Sequence, residues 1–335
     1  MKKRTKRILL GMGLGSAAVV AAQKLLANNL IDLALDREPP KNIEESKKKA
    51  AGSDKHLKVL HDMQDLSDRL ENSGCEVVNI SARDGINLVG HYYRCEHAKR
   101  VIIAMHGWRS SWSRDFGCVA EFWHQNDCSV LYAEQRGQNA SEGEHMGFGI
   151  TERYDCLDWA NYIHERTGGS LPVYLAGVSM GATTVLMAAG QQLPECVHGI
   201  IADCGFTSPK AIWKHVVQGN LHIPYSFVEE SLDKAYQHIA DAESDYSCES
   251  ALKDCKVPVL FIHGTDDRFV PIEMTYDNYK ACAAPKRLFI VPGAEHGMSY
   301  FEDKEGYEKT VRQFWADYDT AASMQLEDAG TGEQK

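Results

Sequence analysis

Six short, almost unbroken apolar runs recur along the chain, at Val101–Met105, Ser129–Ala133, Val173–Ala176, Gly199–Ala202, Val259–Ile262 and Leu288–Val291. A strand that is apolar at every position, rather than at alternate ones, is buried on both faces, which requires a parallel sheet covered by helices on each side. Between the runs, segments such as Asp155–Arg166 and Met180–Gln191 carry apolar residues at helical spacing. Strand–helix alternation with short connections predicts an α/β fold, a mostly parallel sheet closed by right-handed crossovers.

The flanking regions differ. Cys75–Ser81 and Ile86–Arg94 alternate apolar and polar residues around Arg83-Asp84-Gly85, which predicts an antiparallel hairpin leading into the sheet. Upstream, His56, Leu57, Leu60, Met63, Leu66 and Leu70 mark one face of an amphipathic helix over Asp54–Glu71. Residues 37–51 are rich in Pro, Lys and Glu and read as a solvated linker, so 37–72 divides into linker and packing helix. The main domain then covers 73–318, with a tail at 319–335 expected to be disordered. The rhythm breaks once: Ser208–Ser250 holds aromatic and His residues (Trp213, His215, His222, Tyr225, Phe227) without a strand-like run. An insertion at a strand's carboxyl end lies over the ligand crevice of such a sheet, and 208–250 is expected to form a small helical lid.

At the N-terminus Lys2, Lys3, Arg4, Lys6 and Arg7 precede an uncharged, mostly apolar run from Ile8 to Ala22. That run suits a signal-peptide h-region, with Val20-Ala21-Ala22 as small residues for cleavage, or the start of a tilted membrane anchor reaching Leu35. Residues 1–36 are therefore expected to be a signal or membrane-anchor segment, making the protein membrane-anchored or secreted, with a cytoplasmic helix as the alternative. The ten cysteines point towards a reducing compartment. They are irregularly spaced with no C-x-x-C, and Cys128 and Cys204 lie in strand-like runs as small buried hydrophobes. With 47 acidic against 36 basic side chains, the chain lacks the basic face that nucleic-acid binding requires. No H-E-x-x-H occurs, the Cys and His residues lack metal-ligand spacing, and no cofactor is implied.

Chemistry gathers at strand ends. Gly177-Val178-Ser179-Met180-Gly181 is a G-x-S-x-G sequence that follows one apolar strand without a gap and runs directly into a helix. That setting places a serine on a strained, exposed turn. A serine hydroxyl is a weak nucleophile until an adjacent base takes its proton. The next two strands end in His263-Gly264-Thr265-Asp266-Asp267-Arg268-Phe269-Val270-Pro271 and Pro292-Gly293-Ala294-Glu295-His296-Gly297. The expected order is thus Ser179 as nucleophile, Asp267 (preferred to Asp266) as orienting acid and His296 as base. His106 and His263 also follow strands, and are expected to satisfy local backbone instead. A developing oxyanion would be held by the backbone N–H of Met180, at a helix start, and by that of Trp108 in the loop His106-Gly107-Trp108. The Trp108 side chain either lines an acyl pocket or packs under its own loop.

These motifs, H-G-W at 106–108, G-V-S-M-G at 177–181, H-G-x-x-D-x-x-V-P at 263–271 and G-A-E-H-G at 293–297, resemble in order those of the α/β-hydrolase superfamily over residues 75–318. The resemblance is nearest to bacterial, often membrane-anchored, esterase and prolyl-oligopeptidase-like hydrolases, and its H-G-x-x-D element supports Asp267. Residues 134–143 (EQRGQNASEG) resemble the D-x-R-G-H-G-x-S-x-G turn of that family but depart from it at Glu134, Gln138 and Asn139. The resemblance implies a serine hydrolase acting on a small-molecule ester or acyl substrate through an acyl-enzyme. Peptidase, thioesterase, acyltransferase and a non-catalytic binder are the competing expectations, since one fold hosts many chemistries.

Overall fold

A computed structural model of the protein describes residues 21–38, 54–240 and 244–319. Its centre is an eight-stranded sheet: β1 (Glu76–Ser81), β2 (Asn87–Tyr93), β3 (Arg100–Met105), β4 (Cys128–Ala133), β5 (Val173–Val178), β6 (Val197–Asp203), β7 (Val259–Gly264) and β8 (Lys286–Val291). In space the order is β1-β2-β4-β3-β5-β6-β7-β8. The β1–β2 and β2–β4 pairs are antiparallel, and every pair from β4 to β8 is parallel. All six apolar runs lie within these strands. The sheet is the α/β arrangement expected from them, hairpin included.

Each central strand sends alternate side chains into two cores. In β3, Val101, Ile103 and Met105 join one cluster while Ile102 and Ala104 join the other. The first cluster packs under α4 (Glu152–Thr167) and α5 (Met180–Ala188). The second packs under α3 (Trp112–Gln125) and α11 (Lys304–Tyr318). Helix α2 (Asp54–Glu71) lies across α3, and the close crossing depends on Gly117, where a Cβ would come within 2.8 Å of the Leu66 carbonyl. Ser67 and Ser113 hydrogen-bond at the crossing, Oγ to Oγ, at 2.9 Å.

The crossovers run in opposite directions from the middle of the sheet: β3 leads outward to β4, whereas β5 leads the other way to β6. Loops leaving β3 and β5 therefore diverge and open a crevice at the strands' carboxyl ends. The insertion after β6 is made of α6 (Pro209–His215), a π turn at Val216–Asn220, a 3-10 turn at Tyr225–Phe227 and α7 (Glu229–Ala240).

The N-terminal region departs most from its sequence reading. Residues 1–20, including the basic cluster, and residues 39–53, which include most of the expected linker, lie outside the described residues, as does the tail from 320 onward. Residues 21–35, however, form a helix, α1, whose Ala27, Ile31 and Leu35 are buried in the main core. Among the described residues no helix is long and apolar enough to cross a membrane. Arg37 is not part of a solvated linker. Its backbone N–H donates to Glu144 O at 2.8 Å and its guanidinium to Ser141 O and Asn139 O at 2.6 Å each. At the other end Asp319 is not tail: it pairs with the buried Arg100 at 2.6 Å and accepts from Tyr174 Oη at 2.9 Å. All ten cysteines are unpaired, and Cys128 and Cys204 are buried.

Candidate active site

Ser179 sits between β5 and α5 with φ 56° and ψ −119°, a conformation that costs a non-glycine residue about 1–3 kcal/mol. The surrounding backbone enforces it. A Cβ on Gly181 would collide with the Met105 carbonyl, and one on Gly177 with the Gly181 carbonyl, so strand, turn and helix approach more closely than side chains permit. The elbow raises Ser179 Oγ above the sheet edge, where it donates to His296 Nε2 at 2.9 Å. On the far side of the ring His296 Nδ1–H donates to Asp267 Oδ2 at 2.6 Å. Three side chains from three strand ends, far apart in sequence, thus form one continuous relay.

Asp267 is fully committed. Its Oδ1 accepts the backbone N–H groups of Phe269 and Val270, each at 2.9 Å. Burial acts to raise its carboxyl, but the ring N–H groups of His263 and His296 and the Val270 N–H overcome that and hold it well below the usual carboxylate range. His263 supports it from beneath. With the proton on Nε2, the ring shares that proton between Val270 O at 3.0 Å and Asp267 Oδ2 at 3.3 Å, while Thr275 Oγ1 donates to Nδ1 at 2.6 Å. The neighbouring Asp266 is exposed, and its Oδ1 accepts only the local Thr265 hydroxyl at 2.9 Å.

The loop after β3 is fixed residue by residue. Buried His106 donates from Nδ1 to Gly107 O at 2.8 Å and accepts the Gln135 N–H on Nε2 at 3.1 Å, and burial lowers its pKa so that the ring is neutral. Asp115 takes the Gly107 N–H at 2.6 Å and the Ser110 hydroxyl at 2.5 Å. Gln138 Oε1 takes the Arg109 N–H at 2.6 Å. Trp108, between these two committed neighbours, lines the cleft that holds Ser179, and Met180 follows Ser179 in the first turn of α5, whose N–H groups have no partner within the helix. Gln138 and Glu134 are two of the departures noted in the 134–143 turn, and the structure gives each a partner. Glu134 binds His91 at 2.7 Å and the Ala140 N–H at 2.5 Å.

Two cavities meet at Trp108. One is the open cleft holding Ser179 and His296, bordered by Met63, Arg114, Met298 and Phe301. The other is an apolar cavity of about 140 Å3, walled by Trp108, Phe148 and Phe269, by Trp213 and its neighbours in the insertion, and by α1. The Phe269 ring lies 5.1 Å from that of His296, centroid to centroid. Sequence reading did not single out Phe148 or Phe269 as cavity residues, because an aromatic in a loop carries no periodic signal, and it assigned the residues of α1 to a signal or anchor segment.

Asp203, at the end of β6, was also not anticipated. It is buried, accepts from Ser299 Oγ at 2.9 Å, and is raised by burial to about 6. A carboxyl raised in the folded state stabilises it below the unfolded value and loses that contribution as pH rises through 6. Asp203→Asn removes that loss, so the variant should gain on the order of 2 kcal/mol at pH 7.5 and nothing at pH 4. Urea melts at the two pH values check this.

Strand order and elbow are those of the α/β-hydrolase fold. Comparison with known proteins agrees. The model of the family described as serine aminopeptidase, S33, matches residues 96–239. The uncharacterized protein YqkD of Bacillus subtilis is 28% identical over 191 residues, 56% of this chain and 61% of its own length, so the chain spans about three-fifths of that relative. The uncharacterized protein YfhR of Escherichia coli O157:H7 is 26% identical over 240 residues, covering 69% of this chain and 76% of its own. Among solved structures, an esterase of Pyrococcus furiosus superposes with a TM-score of 0.62 at 19% identity, covering 76% of this chain and 94% of that one.

Proposed function

We propose that the protein is a serine carboxylesterase. The observation that carries this reading is the relay Ser179 Oγ–His296–Asp267, at 2.9 and 2.6 Å, opening beside an apolar cavity. In the proposed reaction Ser179 Oγ attacks the ester carbonyl carbon as its proton passes to His296 Nε2. Asp267, ionised and buried, stabilises the imidazolium. The carbonyl oxygen, now anionic, accepts from the N–H groups of Met180 and Trp108. Collapse expels the alcohol, which takes its proton from His296, and water, activated by the same ring, releases the acid and restores Ser179.

Ester is favoured over aminopeptide by what lines the two cavities. A free α-amino group calls for an available carboxylate, and Asp115 is the sole acidic residue among the described lining residues. Both its oxygens already accept hydrogen bonds from the β3 loop. The esterase name of the Pyrococcus neighbour supports the same choice. We read the basic and apolar N-terminal run as attaching the enzyme to a membrane, ahead of α1. The reading is tested with p-nitrophenyl esters, acyl thioesters and aminoacyl p-nitroanilides side by side. The expected result is kcat/KM highest for the oxygen esters, and faster turnover of the aminoacyl anilides would overturn it.

A further inference from the structure

We propose that α1 is the specificity-determining wall of the acyl pocket, with Leu30 and Leu33 setting the length of chain accepted; this rests on the esterase reading above. Trp108 borders both the Ser179 cleft and the apolar cavity, and Phe269, another wall of that cavity, lies 5.1 Å from the His296 ring, centroid to centroid. An acyl chain whose carbonyl carbon is held by Ser179 and whose oxygen faces Met180 and Trp108 has this cavity as its apolar continuation. Its wall on the N-terminal side is Leu30, Ile31, Leu33 and Ala34. The leucine side chains on this side therefore limit how far an acyl chain can extend into the cavity.

The position of this wall relative to the reacting atoms is set by hydrogen bonds. Trp108 Nε1–H donates to Ala34 O at 2.7 Å. Arg109 Nη2 donates to Leu33 O at 2.9 Å and to Asp36 O at 2.6 Å, placing a cation on the carbonyl end of the helix, where its dipole is negative. These donors belong to the same loop as the candidate oxyanion N–H. Leu35 O accepts the Met146 N–H at 2.7 Å, and Ile31 and Leu35 are buried in the core, so the helix cannot slide without breaking both sets of contacts. A substrate chain therefore meets a wall at a fixed distance from Ser179 instead of a displaceable flap.

Leu30 and Leu33 are half-buried, so changing them leaves the core contacts of Ile31 and Leu35 in place. The experiment uses the full-length chain and measures kcat/KM for p-nitrophenyl esters from acetate to decanoate. Labelling rates of Ser179 by alkyl fluorophosphonates of matching length are measured beside them. Leu30→Ala should raise the decanoate-to-butyrate ratio about tenfold, and Leu33→Trp should lower it by a similar factor. A ratio within twofold of wild type in both variants, while wild-type turnover remains dependent on Ser179, overturns the proposal and leaves the esterase reading standing. A folded wild type that reacts with no ester and no fluorophosphonate overturns the esterase reading, and this proposal with it.

Discussion

Ser179→Ala should lower kcat for p-nitrophenyl butyrate on the order of 10⁶-fold, leaving only what binding and oxyanion donors contribute. The size follows from geometry. The relay ends on one atom, Ser179 Oγ, and no other hydroxyl is described as donating to His296 Nε2. A methyl group at that position keeps the elbow's backbone, since the φ of 56° is imposed by the neighbouring glycines and not by the hydroxyl. The variant should therefore fold with wild-type thermal stability within about 0.5 kcal/mol, and intact-protein mass spectrometry should show no adduct after fluorophosphonate treatment. Residual turnover above 1% of wild type would assign the nucleophile elsewhere.

Asp267→Asn should cost about 10⁴-fold in kcat, whereas Asp266→Asn should stay within about threefold of wild type. The two side chains are adjacent in sequence and opposite in circumstance. Asp267 is buried with two backbone N–H donors on one oxygen and two imidazoles facing the other. An amide there either presents its NH2 to His296 Nδ1, forcing the proton onto Nε2 where it must face Ser179, or gives up the Phe269 and Val270 bonds. Both arrangements disarm the base. Asp266 lies in solvent with one local hydroxyl for company, so its charge is screened and its loss is small. The paired measurement is steady-state kinetics on the two variants with the same ester. Equal losses would mean that the 265–268 turn acts through its shape and not through one carboxylate.

Much of this site was legible in the chain. The elbow is readable because close backbone approach at positions 177 and 181 demands glycine, and that demand leaves a mark in the sequence. Asp267 and His296 are readable because strand ends in a parallel sheet converge on one edge, so position after a strand carries spatial information. The reading of His106 and His263 as backbone partners also fits what they touch, although His263 additionally braces Asp267. The apolar cavity was not legible. Phe148, Phe269 and Trp213 come from three loops or short helices with no shared period, and only the fold places them around one cavity.

The N-terminal segment divides the two kinds of knowledge most sharply. By itself the sequence determined the layered sheet, its antiparallel entry and the strand ends that carry Ser179, Asp267 and His296, because each depends on local pattern plus one general rule of topology. It could not say what the apolar residues between 21 and 35 would face. An apolar helical stripe has the same composition whether its solvent is lipid or a protein groove, since the hydrophobic effect is non-directional. The choice lay with partners far along the chain: the Trp108 and Arg109 donors, and the strand-like contact between residues 36–37 and 144–145. Tertiary structure supplied directional hydrogen bonds at the end of that helix, and those bonds set it against the candidate catalytic loop as the wall of its pocket.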